Sequence, residues 1–183
     1  MAAVVLLDRD GVINYDRPDS VKSLAELIIL PGVVEALCLL HQADVRAIVV
    51  TNQACVGRGA LSMAQLEQIH HYMVEQVEQG GGRIDAIYCC PHAAGVECDC
   101  RKPLPGLIHQ AQRDWGFNRA TTWMVGDAGR DIEAARSAGC LPALVRTGKG
   151  IMTAPHYADV PLFDNLNDFV CHYLAEKGPC FHD

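Results

Sequence analysis

The chain has 183 residues, half of them hydrophobic and a fifth charged, with a formal net charge of −7. That length builds one well-cored domain over residues 1–183 and leaves little room for a second. The acidic balance argues against duplex nucleic acid as a partner, and no apolar run is long enough to span a bilayer. The residues after Met1 lack the basic start and cleavage site of a signal peptide, so a cytoplasmic, monomeric protein acting on a small molecule is expected. Nine cysteines in a reducing compartment suggest metal ligands or buried thiols rather than a disulfide framework.

Ala2 to Leu7 reads as a strand buried on both faces, because it is apolar without alternation. It runs into Asp8-Arg9-Asp10-Gly11. Pro31-Gly32 opens a helix with Val33, Val34, Leu37 and Leu40 at helical spacing. Val45 to Val50 is a second strand, ending in Thr51-Asn52-Gln53. Ser62 and Gln65 form a capping box for a helix to about Gln79, stopped by Gly80-Gly81-Gly82. Ile84 to Cys89 is a third strand, followed by a cysteine-rich loop. A helix from Pro105 to about Trp115 precedes a fourth strand, Thr122 to Val125, which ends at Gly126-Asp127. Asp131 to Ala138 is a short helix, Leu141 to Val145 a fifth strand, and the tail holds a weak strand near 160–163 and a helix from about Leu166 to Lys177. This alternation predicts an α/β fold: a three-layer, Rossmann-like parallel sheet with helices on both faces.

Three polar clusters, Asp8/Asp10, Thr51/Asn52 and Asp127, fall at C-terminal ends of predicted strands, where open α/β sheets bind their ligands. Singly, each is compatible with ordinary turn chemistry. Together they converge on one pocket and fit a phosphate monoester. Such esters hydrolyse so slowly unaided that enzymatic accelerations reach ~10²¹-fold. Two carboxylates repel the substrate, so a cation must sit between. Asp8, Asp127 and the main-chain carbonyl of Asp10 make a hard oxygen site for Mg²⁺. Thr51 and the N–H groups of Asn52 and Gln53 offer donors, and Lys102 with Arg101 offers positive charge. Asp131, one turn on, is placed to orient the metal shell.

Cys90, His92, Cys98 and Cys100 give three thiolates and an imidazole within eleven residues, a soft donor set for tetrahedral, structural Zn²⁺. Cys38, Cys55 and Cys140 read as small buried hydrophobes, and Cys89 as a core thiol that can compete as a ligand. Because Lys102 follows Cys100 by two residues, a zinc loop at about 90–100 also fixes that cation.

Asp8-Arg9-Asp10-Gly11, Thr51-Asn52-Gln53, Lys102 and Gly126-Asp127-Ala128-Gly129-Arg130-Asp131 resemble, in order, the four motifs of the haloacid dehalogenase (HAD) superfamily of phosphatases. The resemblance covers about residues 4–150. It implies that Asp8 is the nucleophile, forming an aspartyl-phosphate, and Asp10 the general acid and then base. It also implies that Thr51 and Lys102 hold the phosphoryl group and that Mg²⁺ bridges Asp8, the Asp10 carbonyl and Asp127. Only 41 positions separate Asp10 from Thr51, and 51 separate Thr51 from Lys102. No cap domain fits either interval, so selectivity falls to Asp16 to Asp19, Ala54 to Gly59 with Arg58, and the zinc loop with Arg101. Asp16, Asp19, Asn52, Gln53, Arg58, Arg101 and Lys102 are the substrate-binding candidates.

Val56-Gly57-Arg58-Gly59, Cys-Pro-His at 90–92, Cys-Asp-Cys-Arg-Lys-Pro at 98–103 and Arg146-Thr147-Gly148-Lys149-Gly150 resemble the D-glycero-D-manno-heptose 1,7-bisphosphate 7-phosphatases of lipopolysaccharide core synthesis. The short gap from His92 to Cys98 resembles the histidinol-phosphate phosphatases instead. Ala128 departs from the lysine often found there. A receiver-like phospho-accepting switch is the non-enzymatic alternative. It needs neither Asp10 nor a zinc loop.

Overall fold

The computed structural model describes residues 3–177; Ala2 and Cys180 lie outside the described residues. Six parallel strands, β1 (Ala3–Leu7), β2 (Val45–Asn52), β3 (Ala86–Cys90), β4 (Trp123–Gly126), β5 (Leu141–Val145) and β6 (Leu162–Phe163), form one sheet in the order β3-β2-β1-β4-β5-β6. The helices are α1 (Val33–Gln42), α2 (Ala54–Gly57), α3 (Met63–Gln79), α4 (Gly106–Trp115), α5 (Gly129–Ala138), α6 (Gly150–Thr153) and α7 (Leu166–Lys177).

Strand pleating sends alternate residues to opposite faces. Val5 and Leu7 pack with Val49, Val125 and Val145 under α1, α3 and α7, while Val4 and Leu6 pack with Ile48, Val50 and Met124 under α4 and α5. Both faces are therefore apolar, which is why β1 shows no alternation in sequence. The three layers are those expected. Among the described residues, no inserted domain separates the motif segments, and no helix is long and apolar enough to cross a membrane.

Element boundaries differ where side chains replace backbone partners. Strand β3 starts two residues late, because Asp85 Oδ2 accepts the Ala47 N–H at 2.9 Å and Arg83 pairs with Asp85. Strand β2 continues two residues further than predicted, because β3 stays paired with it to Asn52↔Cys90. The short helices α2 and α6 carry no periodic signal and are not legible in the sequence. The capping box is present: Ser62 Oγ accepts from the Gln65 N–H, and Gln65 Oε1 from the Ser62 N–H. Cys55 and Cys140 are buried as expected, but Cys38 is only half-buried, since its position on α1 faces Gln42 at the surface.

Candidate active site

The C-terminal ends of β1, β2 and β4 meet as a ring of buried charge. Asp8, Thr51, Lys102, Asp127 and Asp131 are all at least 98% buried. Lys102 Nζ lies 2.9 Å from Asp8 Oδ1 and 2.7 Å from Asp131 Oδ1, and it donates to the Val50 carbonyl at 2.7 Å. Its three N–H groups are engaged within the protein, so it acts on the site as a fixed charge beside Asp8. Burial works against the ammonium, but Asp131 and then Asp8 raise its pKa. Arg130, quoted in the motif but not foreseen as a site residue, places Nη2 3.8 Å from Asp8 Oδ2. It lines the open cleft above.

Asp8, Asp127 and Asp131 bring carboxylate oxygens within 4.8 Å of one another. Burial, and then the charge of Asp131, pushes Asp8 up to about 7 against the pull of Lys102 and Arg130. Asp127 is raised to about 6, chiefly by burial. Asp131 is occupied by Lys102 and by the Ala128 N–H at 3.1 Å. Asp8 Oδ2 and Asp127 Oδ1 are buried oxygens with neither a hydrogen-bond donor nor, unlike Asp131 Oδ1, the Lys102 ammonium against them among the described residues. Two neighbouring hard oxygens without donors fit a divalent cation such as Mg²⁺. The loop after β5 braces this position: the Lys149 N–H donates to Asp127 Oδ2 at 2.8 Å, and Thr153 Oγ1 donates to the Asp127 carbonyl. Gly11 and Gly148, both at positive φ, press on the same carboxylate, and a β-carbon on either would collide with Asp127 Oδ2. Nothing in the sequence alone ties residues 147–153 to the metal position.

The Asp10 carboxylate accepts from Arg9 Nη2 (2.8 Å), Asn14 Nδ2 (2.9 Å) and Gln53 Nε2 (2.7 Å). Burial opposes its charge, yet Arg9 and these amide donors hold it below the usual carboxylate range. With both side-chain oxygens engaged, Asp10 has its main-chain carbonyl to offer a metal. Gln53 Nε2 also donates to Thr51 Oγ1, leaving the Thr51 proton to serve as a donor. The Gln53 N–H was expected to face the ligand. It instead donates to the Cys90 carbonyl at 2.7 Å, a consequence of the longer β2–β3 pairing. The same extension turns Asn52 toward Lys102: Asn52 Nδ2 donates to the Lys102 carbonyl and Oδ1 accepts its N–H, both at 3.0 Å. Asn52 thus fixes the backbone that carries the buried lysine.

A cleft of about 200 Å³ opens above this ring. Asp10, Asp16, Asn52 and Gln53 line it together with Arg17, Arg58, Arg101, Arg130 and Lys149. Asp16 pairs with Lys149 at 2.9 Å. Asp19 is not brought in; it lies exposed, tied to Lys22 and Arg17. Arg17, Arg130 and Lys149 are the cleft cations that sequence reasoning missed. Lys149 was legible only as part of a basic run.

Cys90, His92, Cys98 and Cys100 converge, with Cys90 Sγ 3.5 Å from His92 Nδ1, His92 Nδ1 3.2 Å from Cys100 Sγ, and Cys90 Sγ 4.0 Å from Cys98 Sγ. Tetrahedral zinc with bonds of about 2.0–2.3 Å separates its ligands by roughly 3.4–3.8 Å, so the donor set fits. Burial and the two neighbouring thiols push Cys100 up, while the Arg101 N–H draws Cys98 down against burial. Pleating of β3 puts Cys90 on the loop's face and Cys89 on the other, where burial raises its thiol to about 12. Cys89 is a half-buried thiol packed against the core and turned away from the cluster. Arg101 Nη1 donates back to the His92 carbonyl at 3.3 Å, and the Gly57 N–H donates to the Pro91 carbonyl at 2.8 Å. The loop therefore braces both Arg101 and the 54–59 segment.

A HAD-hydrolase-like family model matches residues 99–176. A Pseudomonas aeruginosa protein named D-glycero-beta-D-manno-heptose-1,7-bisphosphate 7-phosphatase is 42% identical over 166 residues, 90% of this chain and 93% of that one. A Neisseria meningitidis protein of the same name is 41% identical over 180 residues, 96% of each. The solved D,D-heptose 1,7-bisphosphate phosphatase from Bordetella bronchiseptica, complexed with magnesium and phosphate, superposes with a TM-score of 0.92 at 40% identity, covering 95% of this chain and 99% of that one. The two relatives and the solved structure match over nearly the whole chain: the protein belongs to the D-glycero-beta-D-manno-heptose-1,7-bisphosphate 7-phosphatase family of HAD-like hydrolases.

Proposed function

We propose that this chain, as a single cytoplasmic domain over residues 1–183 acting as a monomer, removes the 7-phosphate of D-glycero-β-D-manno-heptose 1,7-bisphosphate in lipopolysaccharide core synthesis. The observation that carries the reading is the cleft itself. Five cations, Arg17, Arg58, Arg101, Arg130 and Lys149, line it at the edge of the buried carboxylates. A substrate with two phosphates meets that field with four negative charges. Histidinol phosphate brings an ammonium into the same field and is disfavoured by repulsion. The names of the relatives support the same substrate.

In this reading an Asp8 oxygen attacks phosphorus and the bond to the sugar oxygen breaks. Asp10, whose neighbours Arg9, Asn14 and Gln53 favour the ionised form, takes up a proton as the anionic ester binds and hands it to the departing oxygen. Water then attacks the aspartyl-phosphate, Asp10 takes its proton, and the Asp8–phosphorus bond breaks. Thr51 donates its hydroxyl to a phosphoryl oxygen, and Lys102 neutralises the nucleophile from the side. Magnesium, held by Asp8, Asp127 and the Asp10 carbonyl, supplies the charge that lets an anion meet an anionic ester. Zinc at Cys90, His92, Cys98 and Cys100 is structural. Asp16, Asn52, Gln53, Arg58 and Arg101 shape the substrate cleft; Asp19 acts through Lys22 and Arg17.

Side-by-side kinetics test the substrate. We expect kcat/KM on the heptose bisphosphate to exceed that on histidinol phosphate by about 10²-fold or more, and the reverse order sinks the reading. The zinc linkage is tested with Cys98→Ser. Metal analysis should find no zinc, and kcat/KM should fall about tenfold or more, because Arg101 and Lys102 lose their brace. Full activity in the zinc-free variant contradicts the linkage.

A further inference from the structure

Arg9 is a fully buried cation lying between Asp8 and Asp10 in sequence. A guanidinium in such a place is costly unless its N–H groups are met. One arm, Nη2, donates to Asp10 Oδ1 at 2.8 Å; the other, Nη1, lies 3.1 Å from His70 Nε2. Guanidinium has no acceptor, so Nε2 must be the unprotonated ring nitrogen and must accept from Arg9. Burial and the Arg9 charge keep the ring neutral.

His70 stands on α3 between Ile69 and Met73, which pack into the core. The acceptor for Arg9 is therefore supplied by a long, clamped helix. A continuous chain of contacts runs from α3 through His70 and Arg9 to one oxygen of Asp10. Asn14 and Gln53 hold that carboxylate as well, from the β1 and β2 sides. The third holder is the one whose own geometry depends on a distant element.

We propose that His70 is a positioning residue for proton transfer: by fixing one arm of Arg9 it aims the other at Asp10 and so keeps Asp10 directed into the cleft. This rests on the reading that Asp10 exchanges the proton with the leaving oxygen. Loss of the acceptor lets the Arg9 fork rotate and Asp10 follow it. The effect must fall on esters whose leaving group needs a proton and spare those whose leaving group departs as a stable anion.

The test compares kcat/KM on an alkyl sugar phosphate and on p-nitrophenyl phosphate in magnesium-loaded protein. For His70→Leu, the value on the sugar phosphate should fall about tenfold or more while that on the aryl ester stays within about threefold. His70→Gln, whose amide oxygen can accept from Arg9, should restore the sugar phosphate value to within about threefold. His70→Met takes the place of leucine if that variant fails to fold. Equal losses on both esters, or a glutamine variant as poor as the leucine one, overturn the proposal. Asp10→Asn, run alongside, separates the two claims. Leaving-group bias in Asp10→Asn but not in His70→Leu refutes the role of His70 alone, and no bias in Asp10→Asn refutes the reading beneath it.

Discussion

Asp8→Asn is expected to abolish turnover, with a loss on the order of 10⁵–10⁶ in kcat, and to make the metal-free protein more stable at the same time. The catalytic loss follows if Asp8 is the proposed acceptor of the phosphoryl group, since losses of that size accompany removal of a nucleophile acting with its partners. The stability gain follows from the site's electrostatics. Asp8 is raised from an ordinary carboxylate value to about 7 by burial and by Asp131. The folded state therefore binds a proton more tightly than the unfolded state between about pH 4 and 7. Stability falls as pH rises through that window, and the penalty is fully present above it. The D8N protein escapes the penalty. In EDTA at pH 8 its unfolding free energy should exceed that of the unsubstituted protein by on the order of a few kcal/mol, with a correspondingly higher Tm, and the gain should vanish near pH 4. A D8N protein less stable than its parent at pH 8 would contradict the assignment of Asp8 as a strained, preorganised anion.

Lys102→Met should have the second largest effect, in the opposite direction for stability. Its ammonium is within 2.9 Å of Asp8 and 2.7 Å of Asp131 in a site closed to water. Removing it leaves two buried carboxylates facing each other with only the more distant Arg130 to offset them, at a cost of about 3–5 kcal/mol at pH 8. The cost should shrink at pH 5, where Asp8 takes up a proton. Turnover should fall by about 10²–10³ from lost stabilisation of the phosphoryl charge. Lys102→Arg should not rescue either property, because a planar fork cannot place three donors on Asp8, Asp131 and the Val50 carbonyl. Denaturant unfolding at the two pH values reads the first effect, and steady-state kinetics the second. Equal stability loss at pH 5 and pH 8 would show that packing, not charge, is what Lys102 supplies.

The residues legible in advance are those whose chemistry is tied to a strand end. Asp8, Thr51 and Asp127 follow directly from apolar runs that stop at a polar residue, because a parallel sheet gathers those ends. The convergence of Cys90, His92, Cys98 and Cys100 follows from donor type and spacing. What stayed hidden depends on contacts between segments far apart in the chain. His70 sits on a helix whose pattern reads only as amphipathic, and its partner Arg9 is 61 positions away. Lys149 and Thr153 brace Asp127 from a loop and a four-residue helix with no periodicity to reveal it. The reversal of the Gln53 N–H came from two extra residues of β2–β3 pairing, which pattern reading does not resolve. Asp19 looked like a cleft residue by proximity to Asp16, but the turn it occupies directs it to Lys22.

The central claim is that Asp8 carries the phosphoryl group. Acid-quenched peptide mapping of the magnesium-loaded Asp10→Asn protein, mixed with p-nitrophenyl phosphate, tests it most directly. That donor needs no proton to leave, and loss of the Asp10 carboxylate slows hydrolysis of the intermediate. The prediction is one phosphoryl group on the peptide containing Asp8, absent when Asp8 is also replaced by asparagine. Phosphate released at full rate with no phosphorylated Asp8 at any quench time would contradict the account.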